Sequence, residues 1–73
     1  MFIELTTYTD NQKCLININL IVSINNVLDV GRNEVHGVLW TSDDVYYNVK
    51  ETYEEIKQII RDTMNNIRDD FGF

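Results

Sequence analysis

Apolar and polar side chains alternate along most of the chain, and the alternation then gives way to a helical repeat. Residues 2–8 carry Ile3, Leu5 and Thr7 on one side and Glu4 and Thr6 on the other, as a half-buried strand does. Residues 13–18 repeat the pattern with Cys14, Ile16 and Ile18. Between them Thr9-Asp10-Asn11-Gln12 supplies turn formers, so the two runs predict a hairpin. With Asp10-Asn11 as a two-residue loop, Leu5 faces Ile16, Ile3 faces Ile18 and Thr7 faces Cys14. Directly opposed residues share a face, and in this register the two apolar sets coincide.

The alternation continues through Leu20, Val22 and Ile24. Asn is poor in strand interiors and good in turns, so Asn17-Ile18-Asn19 predicts a corner between two strands rather than one long strand over 13–26. Residues 29–34 read as a loop. Val35–Thr41 and Val45–Val49 predict a second hairpin across Ser42-Asp43. A loop of two or four residues pairs Trp40 with Val45, Val38 with Tyr47 and His36 with Val49, and that face is the expected core. Leu39 and Tyr46 then lie outside.

The last element is a helix. Thr52-Tyr-Glu-Glu55 is a capping box, and Tyr53, Ile56, Ile60, Met64 and Ile67 recur at helical spacing, with Ile59 widening the stripe. Asp69-Asp70 oppose the helix dipole, so fraying is expected there. The whole predicts one α+β domain over 1–73: four or five antiparallel strands in two hairpins (about 2–49), one C-terminal amphipathic helix (about 52–68) and a frayed tail, 69–73.

Composition narrows the function. Six basic against twelve acidic residues give a net charge of −6, which argues against direct binding to a nucleic-acid backbone. Hydrophobic residues make up 44% of the chain, too many for a disordered acidic tail. No apolar run reaches the roughly 18 residues of a membrane span. The single cysteine, Cys14, fits a reducing, cytoplasmic compartment. A domain this small has a marginal core, so self-association is expected.

Catalytic chemistry finds little support. His36 has no second His or Cys at metal-ligand spacing, and it reads as a structural histidine at the rim of the core face. Cys14 points inward beside Ile16. Asp43-Asp44 and Asp69-Asp70 are adjacent pairs that point apart on an extended chain, and Gly31, Gly37 and Gly72 are too scattered for a phosphate loop. No catalytic residue, metal ligand or cofactor site is therefore expected. Two surfaces remain as partner sites. One is an outer apolar patch of Leu39 and Tyr46 flanked by Leu15. The other is an acidic set of Asp43, Asp44, Glu51, Glu54 and Glu55 at one hairpin tip and the helix start.

The order Phe2-Ile-Glu-Leu-Thr, a turn, Leu15-Ile-Asn-Ile-Asn-Leu-Ile, a variable strand, then Tyr46-Tyr-Asn-Val-Lys-Glu-Thr-Tyr-Glu-Glu-Ile resembles the FlbD-like (SwrD-type) family of small bacterial proteins. The likeness spans residues 2–60 and implies the fold, with no catalytic residue. Asp10-Asn11 and Ser42-Asp43 stand where that family has Asn-Gly turns, and Asn19 where it has Asp. Similar chains occur among phage and gut-bacterial proteins. Leu15–Ile24 with the following hairpin and helix also looks like the second half of a LytTR domain, without its basic reading residues. The function expected is a non-catalytic protein-contact module, self-associating and acting on a protein partner. The alternative is a phage or mobile-element acidic inhibitor that blocks a nucleic-acid-binding enzyme by charge mimicry.

Overall fold

The computed structural model describes the main chain of residues 1–70 and the side chains of residues 1–65. Five antiparallel strands precede one helix: β1 (Phe2–Thr6), β2 (Lys13–Asn17), a 3₁₀ turn (Ile18–Leu20), β3 (Ile21–Asp29), β4 (Glu34–Thr41), β5 (Tyr46–Val49) and α1 (Tyr53–Asp70). β1 and β2 form one sheet; β3, β4 and β5 form a second, in that order. The α+β architecture with two hairpins, a third strand and a terminal helix is the one the periodicity predicts.

The two sheets join where the chain leaves β1. Tyr8 N donates to the Asn48 carbonyl at 2.9 Å and Lys50 N to the Thr6 carbonyl at 2.8 Å. Thr7 bridges Val49 between these bonds. At the expected corner, the Asn17 side chain caps the 3₁₀ turn by accepting from Asn19 N at 3.0 Å. Ser42 N then ties the turn to the end of β4 by donating to the Leu20 carbonyl at 2.8 Å.

Loop chemistry sets the registers and corrects two of those expected above. Asn11, Asn33 and Asp44 have φ of 57°, 54° and 61°, and each is the last loop residue before pairing resumes. Asn and Asp tolerate this left-handed conformation better than other side chains. A two-residue type I′ loop needs positive φ at both centres, whereas loops built on a type I turn need it only once, at the end. The first loop accordingly takes four residues, Tyr8–Asn11, closed by Thr7 N on the Gln12 carbonyl at 2.8 Å. The Thr7 hydroxyl donates to the Asp10 carboxylate and accepts from Gln12 N. Ile3 therefore faces Ile16, and Leu5 faces Cys14. This shift of two residues leaves every side chain on its expected face.

The second correction is larger. The β4–β5 loop has three residues, Ser42-Asp43-Asp44, closed by Thr41 N on the Val45 carbonyl at 3.1 Å. An odd loop displaces the pairing by one, so Gly37 faces Val49, Leu39 faces Tyr47 and Trp40 faces Tyr46. A one-residue slip exchanges the two faces of a strand. The core side of β4 is thus Gly37 and Leu39, while His36, Val38 and Trp40 lie on the other face. In β3 a bulge between Ile21 and Ser23 brings both Ile21 and Ile24 to the core side, opposite Thr41 and Leu39.

The core consists of Ile3, Leu5, Ile16, Leu39, Val49 and Ile56, with Cys14, Ile18, Ile21, Ile24, Tyr47, Ile59 and Ile60 packed around it. Its helix begins as expected: Thr52 N donates to Glu55 Oε1 at 3.1 Å, and Glu55 N to Thr52 Oγ1 at 3.4 Å. Such caps contribute about 1 kcal/mol. Tyr53 N finds its acceptor in Asn26 Oδ1 of β3 at 2.7 Å, which pins the helix start to the sheet. Ile56 is fully buried, whereas Met64 is 49% exposed, so the helix packs by its first turns. It runs through Asp70, past the expected end near 68; Ile67 lies outside the described side chains and 71–73 outside the described residues.

Gly37 permits this packing. A Cβ there would lie 2.3 Å from the Glu51 carbonyl oxygen and 2.9 Å from Ile56 Cδ1. The first contact is with main chain and cannot be relieved by a rotamer change. Gly37→Ala is expected to lower stability by about 1–3 kcal/mol, in the range of overpacking, read from the urea midpoint. An unchanged midpoint would refute the close approach.

Candidate interaction surface

The residues singled out for partner contact separate into three places. Leu39 is not among the exposed ones: it is fully buried between Ile24 and Tyr47, because the odd loop turns it inward. Tyr46 is exposed as expected, but its neighbour is Trp40, whose ring meets it edge-on at 3.9 Å and 72°. The outer apolar patch is therefore Trp40 and Tyr46 with the half-buried Val38, on the face opposite the helix. Leu15 is also exposed, on the other sheet, where it opposes Glu4 and lies diagonal to the exposed Phe2.

The acidic set is divided by β5. Asp43 and Asp44 occupy the loop before that strand, and Glu51, Glu54 and Glu55 follow it. Roughly 20 Å of extended chain separates the groups, at about 3.3 Å per residue. Glu51 accepts from Thr6 N at 2.9 Å, and Glu55 serves the capping box. Both line a cleft of about 370 Å³ together with Thr6, Asn11, Lys13 and Lys50. Lys13 Nζ donates to Thr6 Oγ1 at 3.0 Å. Two lysines and two glutamates make this cleft mixed in sign. Asp43, Asp44 and Glu54 are the members of the set whose carboxylates are exposed and accept none of the hydrogen bonds described above, although the main chain of Asp44 sets the loop.

His36 and Cys14 serve packing. His36 is 6% exposed, on the face opposite the helix rather than at the core rim, and the Tyr8 ring covers it edge-on at 3.9 Å. Among the described residues its Nδ1 has no hydrogen-bond partner. Cys14 is half-buried against the core; burial, and secondarily the charge of Glu51, push its thiol pKa up and so disfavour the thiolate. Among the described residues no group of three or more His, Cys, Asp or Glu side chains is placed to hold a metal ion. No described helix is long and apolar enough to cross a membrane.

Tyr8 forms a polar lock that periodicity did not reveal. From the β1–β2 loop its hydroxyl donates to Asp29 Oδ2 at 2.8 Å and lies 3.3 Å from Glu34 Oε2, across the far end of the β3–β4 hairpin. The Arg32 guanidinium lies over its ring at 5.2 Å. The Tyr8 hydrogen bond is the main cause that lowers the Asp29 pKa. Burial first, then the same hydrogen bond and the charge of Asp29, raise that of Tyr8.

No protein-family model, curated protein or solved structure matches this chain.

Leu39→Ala should cost about 2–5 kcal/mol, as buried leucine truncations do. Tyr46→Ala should cost only the aromatic pair, about 0.5–1.5 kcal/mol, and equal losses in urea titrations would contradict the assignment of the two faces. The lock also has a pH signature. Because Asp29 is depressed, its contribution is full above the ordinary carboxylate pKa of about 3.9 and is lost as pH falls through the folded value. Because Tyr8 is raised, its contribution is full below its ordinary value of about 10 and is lost as pH climbs through the folded one. Urea midpoints of the wild type and Tyr8→Phe should therefore differ most near neutrality and converge at both extremes.

Proposed function

We propose that this chain is a non-catalytic protein-contact module that associates with itself. One observation carries the reading. Among the described residues, eleven large apolar side chains are exposed, from Met1 at 41% to Val30 at 82%, against seven hydrophobic side chains that are buried. Five of the exposed ones, Val22, Val27, Leu28, Val30 and Val35, belong to one hairpin, and exposed apolar surface gathered in one place marks sites of protein contact. The non-catalytic part is supported by the occupations of His36 and Cys14, both engaged in packing, and by the mixed polarity of the cleft. A FlbD-like likeness, with strand alternation and a helix cap as its motifs, agrees with a small module that acts by contact.

The charge-mimicry alternative draws on the exposed Asp43, Asp44 and Glu54. It is the weaker reading, because Glu51 and Glu55 are engaged beside Lys13 and Lys50 and the acids lie at both ends of β5. Salt distinguishes the two modes: apolar contact is insensitive to ionic strength, whereas charge mimicry fades as screening increases. Light scattering at two protein concentrations, with and without added salt, is expected to give a stable multiple of 8.6 kDa. A mass of 8.6 kDa under every condition would overturn self-association.

A further inference from the structure

Five of the exposed apolar side chains, Val22, Val27, Leu28, Val30 and Val35, belong to the β3–β4 hairpin, and three of them to β3 itself. β3 is the outermost strand of its sheet and, at nine residues, the longest strand in the described chain. Among the described residues, none of the main-chain hydrogen bonds made outside the sheets and helix involves residues 23–28. One side of this strand therefore presents a row of free N–H and C=O groups, which are complementary to any antiparallel strand. Edge strands are ordinarily protected by Lys, Pro, short length or bulges. From Ser23 to Leu28 there is no charge, no proline and no bulge, although the chain carries eighteen charged residues.

We propose that two copies of this chain pair antiparallel along β3, with Asn26 at the two-fold axis, merging their three-stranded sheets into one of six strands. The proposal rests on the self-association argued above and names its surface. A second copy fits because the strand is close to self-complementary in this register. A two-fold axis normal to the sheet keeps like faces together, so it must pass through a residue rather than between two. At Asn26, Ile24 of one copy opposes Leu28 of the second on the helix side. On the other side Asn25 opposes Val27 and Ser23 opposes Asp29. The one carboxylate of the strand meets a hydroxyl; a parallel in-register pairing would set Asp29 against Asp29, and like charges directly opposed are destabilising. Two chains of net charge −6 thus meet along a strand with a single charge, placed at its end.

The test compares the wild type with Asn25→Lys and Val27→Lys, both exposed positions on the face away from the helix. Light scattering should give twice 8.6 kDa for the wild type and half that mass for each variant, with unchanged far-UV circular dichroism. A covalent measurement holds even if a lysine variant unfolds. Directly opposed residues lie about 4.5–5.5 Å apart, within the roughly 4.4–6.8 Å that a disulfide spans. Asn25→Cys with Val27→Cys, in a Cys14→Ser background, should therefore oxidise to a disulfide-linked dimer. Folded lysine variants that remain dimeric, or a dimeric cysteine variant that does not cross-link, would overturn pairing along β3 while leaving self-association standing. A wild type that is monomeric at every concentration would overturn both.

Discussion

The Glu51 carbonyl passes over Gly37 at a distance that leaves no room for a methyl group. This approach lets the chain turn from β5 into the helix directly above β4, and it brings Ile56 down onto Leu39 and Val49 in the core. It requires a particular register, because only Gly37 can occupy the position beneath the carbonyl. Had β4 and β5 paired through an even loop, His36 and Val38 would have faced the helix, and no packing at this distance would have been possible. The left-handed Asp44, which ends a three-residue loop, is thus the local condition for the helix–sheet contact.

The strands, the 3₁₀ corner and the capped helix were legible in the sequence because each rests on local chemistry: alternation, Asn in a turn, and Thr52 with Glu55. Pairing register was less so. Both hairpin loops contain Asn or Asp, but which residue adopts positive φ decides loop length, and alternation alone does not identify it. Near Asn11 the difference was two residues and the faces survived. Near Asp44 it was one, so Leu39 and Trp40 exchanged places. Tyr46 and Leu15 are exposed as read, since neither depended on that parity. The free edge of β3 was not visible at all. The alternation is read only through Ile24, and strand order alone reveals that no described strand pairs with the other side.

Tyr8 shows a different gap between sequence and structure. Alternation places it at the end of the first strand, with no role; the structure puts it in the β1–β2 loop, where it reaches across to Asp29 and Glu34 and covers His36. A long-range contact made by a loop residue has no period. The same tyrosine continues β1 beyond its own sheet, through its N–H on Asn48, so one residue helps join the sheets by its main chain and closes the far hairpin by its side chain.

Trp40 is the sole tryptophan, and it meets Tyr46 edge-on across the β4–β5 pair. The indole is half-buried on the outer face, away from Ile56 and the rest of the hydrophobic interior. Its emission therefore reports on the zipping of one hairpin rather than on the docking of the helix. Fluorescence and far-UV circular dichroism view different parts of this molecule, so agreement between them on denaturation carries independent information about cooperativity.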